Sequence, residues 1–145
     1  MIYFRNTARN SGVDSRRLKK TARALLQAVD EADSTLSISI VTDREIQVLN
    51  RDHRGKDKAT DVLSFPLHPG ESPERMLGDV VISVETARRQ AEAYDAALQD
   101  EVNRLLIHGI LHVLGHDHEE ASERARMEAE ERRLAAAIDM VWPYD

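Results

Sequence analysis

Residues 104–119 read RLLIHGILHVLGHDHE and hold four of the six histidines of the chain. His108 and His112 are four residues apart, which makes them neighbours on one face of a helix. Around them Leu105, Leu106, Ile107, Ile110, Leu111, Val113 and Leu114 are apolar on every side, the pattern of a buried helix. Two imidazoles in such a helix are costly unless their nitrogens find partners. Gly115 is well placed to end the helix in a left-handed conformation, after which the chain can fold back and bring His116 or His118 toward the pair. Three converging neutral imidazoles make a metal site. With an open fourth position it is a catalytic zinc arrangement, and with a fourth protein ligand a structural one. Nickel, copper and iron also accept imidazole, whereas magnesium and calcium want oxygen. The chain has no cysteine, so thiolate ligands and disulfides are excluded.

Two other chemistries are weighed against this pattern. Gly109 stands where an H-E-x-x-H zinc protease carries its glutamate base, which argues against a peptidase of that kind. His116-Asp117 is a pair also found in the HD phosphohydrolases, but those are all-helical, and the strand patterns here are not.

The elements that must position the histidines follow from periodicity. Ile2–Arg5 reads as a short strand, and Asp14 to about Ala32 as a helix burying Leu18, Ala22, Leu25, Leu26 and Val29. Its opposite face carries Arg16, Lys19, Lys20 and Arg23, a basic stripe whose plainest explanation is solvation. Leu36, Ile38 and Ile40 alternate with Ser37 and Ser39 as in a half-buried strand. Thr42 and Glu45 have capping-box spacing, predicting a helix to about Arg51. RDHRGKDKAT, residues 51–60, reads as a charged loop. Val62–Phe65 and Val80–Ser83 read as strands joined by a loop that holds Pro66, Pro69, Gly70 and Pro73. Helices are expected over Val84–Tyr94, Leu98–Leu114 and Ala121–Ile138, the last turning Met127, Leu134 and Ile138 inward. The expectation is one α+β domain over residues 1–145: a small mixed sheet, about five helices, and the metal site on a central buried helix.

Three blocks of the chain resemble one family. His108-Gly109-x-x-His112-x-x-Gly115-x-Asp117-His118 is similar to the signature of the YbeY family of bacterial endoribonucleases, the rRNA maturation factors. Leu49-Asn50, Arg54-Gly55-Lys56-Asp57 and Thr60-Asp61-Val62-Leu63-Ser64-Phe65-Pro66 form a second block, and Leu77-Gly78-Asp79-Val80-Val81-Ile82 a third. The blocks span roughly residues 36–120 in the family's order. The resemblance implies a single-domain α+β fold and one zinc ion on His108, His112 and His118. It also implies a functionally important arginine at Arg54. The implied activity is cleavage of single-stranded RNA, including processing of the 16S rRNA 3′ end, together with ribosome quality control. His53 and His116 stand where the family often has tyrosine. His118 holds the last position of the motif and is favoured as third ligand over His116.

In that setting zinc lowers the pKa of a bound water to about 7, supplying a nucleophile without a protein base. Arg54 suits the phosphate through its planar fork. Lys56 and Lys58 either track an RNA backbone or serve solubility as exposed charges, and Asp117 either orients an imidazole or is a turn residue at the helix end. Net charge is −6, yet residues 1–28 carry seven Lys/Arg against one Asp. Aromatics make up 4%, too few for a base-stacking platform. With no apolar leader in MIYFRNTARNSG and no membrane-length apolar run, the expected compartment is the cytoplasm, with no membrane partner and no organic cofactor. The glutamates of the last helix read as a solvated face or a dock for a basic ribosomal protein. Two other readings stay open: a ribosome-assembly module with a mainly structural metal, and a metal-dependent hydrolase of another phosphoester or a peptide.

Overall fold

The computed structural model describes residues 1–67, 75–117 and 119–142. Pro69, Gly70 and Pro73 of the expected loop, and His118, lie outside them, whereas Pro66, also expected in the loop, ends an edge strand opposite Gly78, where its missing N–H is tolerated. The described elements run β1 (Ile2–Asn6), α1 (Ser15–Ala28), β2 (Thr35–Val41), α2 (Asp43–Arg54), β3 (Val62–Pro66), β4 (Met76–Ser83), α3 (Val84–Ala93), α4 (Leu98–Val113) and α5 (Ala121–Ala137). The strands form one sheet in the order β1-β2-β4-β3. β1 pairs parallel with β2 and β2 with β4, whereas β3 is an antiparallel edge strand, so the sheet is mixed and the fold α+β.

Alternation along the strands sends side chains to two unequal cores. Leu36, Ile38, Ile40, Val80 and Ile82 face the main core, which they share with α1, α3, α4 and α5. Val41, Leu63 and Val81 face the other way and meet Ile46 of α2 in a smaller core. The alternation continues along β3 at the edge. Leu63 and Phe65 pack under α2, while Val62 and Ser64 point to the side on which α4 lies. As expected for a helix apolar all round, α4 buries Leu105, Leu106, Ile107, Ile110 and Leu111 completely.

The predicted capping box forms: the Thr42 hydroxyl accepts from the Glu45 N–H at 3.2 Å, and the Glu45 carboxylate accepts from the Thr42 N–H at 3.1 Å. The helix it starts runs to Arg54, three residues past the expected end. Charge does not stop a solvent-facing helix. Gly55 does, at φ 69, with its N–H donated to the Arg51 carbonyl. Conversely α1 ends at Ala28, earlier than expected, and β4 begins at Met76, four residues before the apolar run Val80–Ile82.

Asp43, at the start of α2, ties that helix to the next. Its carboxylate accepts from the Ser83 and Thr86 hydroxyls, both at 2.6 Å, and from Arg89 at 2.8 Å. Partial burial raises its pKa, but these donors outweigh that and leave it below the ordinary carboxylate value. Glu31 is lowered mainly by its hydrogen bonds from Arg75. In both, the folded state holds protons less tightly than the unfolded chain. Their stabilisation is therefore complete above the unfolded pKa, about 4, and is lost as pH falls through the depressed folded value. The melting temperature is expected to change little on account of these groups between pH 7 and about 5 and to fall below about 4. Asp43→Asn should melt lower at pH 7 and show a shallower acid limb. An acid limb identical to that of the wild type would show that Asp43 does not contribute.

Candidate active site

α4 enters the site with His108 and His112 on one face. Their Nε2 atoms lie 3.1 Å apart, and the ring centroids 4.6 Å apart at 71°. Two zinc-bound imidazole nitrogens, each about 2.0–2.1 Å from the ion at a tetrahedral angle, stand about 3.3 Å apart. The pair therefore fits two corners of a tetrahedral site. Among the described residues no third His, Cys, Asp or Glu joins them in a metal-binding group. His116 is brought to the rim of the same cleft, and it also lies near enough to Glu130 of α5 to help lower that carboxyl, after the larger effect of Arg133. Gly115, at φ 98, ends α4 as expected: its N–H donates to His112 and that of His116 to Leu111.

The helix lies close on the sheet because residue 109 is glycine. A Cβ there would come within 2.5 and 3.0 Å of the two methyls of Val80, which is fully buried, and 3.3 Å from the Ser64 hydroxyl. That hydroxyl donates to the Gly109 carbonyl at 3.2 Å and pins α4 to β3 between the two histidines. There is no room for the glutamate of a zinc protease. Gly109→Ala would gain about 1 kcal/mol of helix propensity but lose about 1–3 to overpacking. Its expected result is a lower melting temperature and weaker metal binding, both recovered by Val80→Ala in the double variant. A Gly109→Ala protein that melts and binds metal like the wild type would refute this packing constraint.

A cleft of about 710 Å³ opens beside the histidines, bordered by Arg54 and Lys56 on one side and by Val62, Ser64 and Pro66 of β3 on another. Arg54 is the last residue of α2 rather than part of a loop, exposed and one residue before the Gly55 cap. The segment beyond it is held in place. The Asn50 amide donates to the Lys58 carbonyl at 2.9 Å, Gln47 to Asp57 at 3.1 Å, and the Val62 N–H to the Asp61 carboxylate at 2.8 Å. His53 packs edge-on against Phe65, centroids 5.1 Å apart, which seats the end of α2 on β3. Asp117 and Thr60 also border the cleft, and Lys58 is exposed.

Sequence reasoning missed Glu131. It lies on α5, with its side chain 11% exposed and a carboxylate oxygen 4.0 Å from Nδ1 of His108. The signal was available: Met127, Glu131 and Leu134 fall at i, i+4 and i+7, so the carboxylate sits in the row that α5 buries.

The α+β domain thus presents an H-x₃-H pair, with imidazole nitrogens spaced as two ligands of one ion would be, to a cleft lined by Arg54 and Lys56. A family model described as endoribonuclease YbeY matches residues 3–139, and the chain belongs to that family. It is 50% identical over 129 residues to the endoribonuclease YbeY of an Anaeromyxobacter species, covering 88% of this chain and 66% of that one. It is 42% identical over 143 residues to the endoribonuclease YbeY of Syntrophotalea carbinolica, covering 95% of each. The chain thus spans about two thirds of the Anaeromyxobacter relative, and 47% of one from Myxococcus xanthus. A Thermotoga maritima protein solved in solution superposes with a TM-score of 0.67 at 26% identity, over 95% of this chain and 89% of that one. Among the described residues no helix is long and apolar enough to cross a membrane.

Proposed function

We propose that this chain is a zinc-dependent endoribonuclease that cuts single-stranded RNA, acts in maturation of the 16S rRNA 3′ end and in ribosome quality control, and works in the cytoplasm on ribosomal substrates. The observation that carries the reading is the approach of two imidazole nitrogens to 3.1 Å beside a cleft bordered by Arg54 and Lys56. His108 and His112 would hold the ion with His118, whose assignment rests on its place in the motif. A zinc ion held there supplies Lewis-acid polarisation of a phosphoryl oxygen and activates water near neutral pH. Arg54 binds the phosphate and offsets the charge that grows on it. Lys56 attracts the flanking backbone as a point charge. Ser64 fixes the height of α4, and Glu131, with a carboxylate oxygen 4.0 Å from Nδ1 of His108, would act on that ring through its charge.

Metal analysis combined with cleavage of single-stranded RNA tests the reading. Purified protein should carry about one equivalent of zinc, lose cleavage on chelation and regain it when zinc is returned. Undiminished cleavage by the stripped protein would overturn it. Carboxylates that orient metal-bound histidines typically contribute 10–100-fold to affinity. Glu131→Gln is therefore expected to weaken zinc binding by about that factor in a chelator competition, with the apo proteins melting alike. Equal zinc affinities would remove Glu131 from the site.

A further inference from the structure

The cations of α1 are not explained by the helix that carries them. Arg16, Arg17, Lys20 and Arg23 are exposed, and among the described residues none of them makes an ion pair. Several cations elsewhere in this acid-rich chain find carboxylates, Arg75 with Glu31, Arg89 with Asp43, Arg104 with Glu101 and Arg133 with Glu130, whereas among the described residues four unpaired cations on one helix face stand together only on α1. Arg16 and Arg17 lie in the first turn, which holds no acidic residue, so they oppose the helix dipole. Arg16 and Lys20 are four apart and Lys20 and Arg23 three apart, so like charges repel along the exposed face. These placements cost the isolated helix stability, and an anionic partner would reverse the sign of each.

We infer that the exposed stripe of α1 is a second RNA-docking surface that holds phosphates of the chain outside the cleft. This rests on the nuclease reading above and extends it to how substrate is held. The geometry sets the reach. α1 packs on β1, and β1 and β3 are the two opposite edges of the four-stranded sheet. With strands about 4.8 Å apart, those edges lie about 14 Å from each other. A strand seated at His108 and His112 must therefore run on for several nucleotides to reach the stripe. Recognition there is electrostatic. Phe4 of β1 has the Lys19 ammonium 5.9 Å from its ring centroid.

The test uses the full chain with Arg16→Gln, Lys20→Gln and Arg23→Gln combined, and two single-stranded RNAs, of about six and about forty nucleotides. For the long RNA, the slope of log affinity against log salt should fall by about 2, since each phosphate contact to a single strand contributes about 0.7. Affinity at low salt should drop at least tenfold. Cleavage of the six-nucleotide RNA and zinc content should stay at wild-type values, and the melting temperature should rise slightly as repulsion is removed. An unchanged salt slope overturns the inference. So does wild-type self-association at low salt that the variant loses, because the stripe would then dock the acidic surface of a second copy. A wild-type protein that binds the long RNA with the steep slope but cuts neither RNA would refute the nuclease reading and leave the docking surface standing.

Discussion

His112→Ala is expected to reduce bound zinc from about one equivalent to near zero and RNA cleavage to the level of chelated wild type. The argument begins with what the imidazole does in α4. It is half-buried, four residues from His108, with its Nε2 directed at the His108 Nε2. Removing it leaves too few donors for a tetrahedral ion. Metal binding is linked to folding, so the variant should also lose the stabilisation that zinc gives the wild type, about 2.7 kcal/mol when free zinc is a hundred times its dissociation constant. Compared without metal, the two proteins should melt within a few degrees of each other, because the apolar core around Leu105, Leu106 and Ile110 is intact in both. That comparison separates a lost ligand from a damaged fold. Full zinc retention by His112→Ala would sink the assignment. The third position is tested alongside it: His116→Ala should keep its zinc and His118→Ala lose it. The reverse result would give the role to His116.

What the chain discloses about itself divides along physical lines. Local rules were legible. The Thr42 cap, the alternation of Leu36, Ile38 and Ile40, the all-apolar helix around His108 and the glycine stop at Gly115 each depend on residues a few positions apart. The end of α2 was misjudged because the charges were read together with the glycine as loop, whereas only Gly55 ends the helix. The start of β4 was misjudged because Gly78 and Asp79 have low strand propensity, and pairing with Leu36 and Ser37 of β2 on one side and with Pro66 and Phe65 of β3 on the other holds them extended. Glu131 was missed for a different reason. In a helix as rich in Glu and Arg as α5 one buried carboxylate reads like its solvated neighbours until the histidine opposite is in view. The meeting of Arg54 with His108 was not readable from spacing. It depends on β3 taking the sheet edge beside β4, so that the end of α2 and the face of α4 border one cleft.

Arg54 is the residue for which that meeting has the largest consequence in catalysis without any in the fold. It is exposed, and among the described residues it makes no ion pair. Its alanine variant should therefore lose only the favourable interaction of a cation with the last turn of α2, about 0.3–1 kcal/mol. Zinc content should be unchanged, since the guanidinium is not a ligand. Cleavage should fall by about 10²–10³, the loss that follows removal of one preorganised donor from a site where charge develops. Arg54→Lys isolates the reason. It keeps the charge and the contribution to the helix end, but a point ammonium cannot make the two parallel hydrogen bonds that a guanidinium makes to a phosphate. It should recover part of the rate and all of the stability. Single-turnover cleavage of single-stranded RNA by the three proteins, each assayed for zinc, gives the answer. If Arg54→Ala cuts at the wild-type rate with full zinc, the phosphate is held elsewhere, and Lys56 on the same edge of the cleft becomes the next cation to replace.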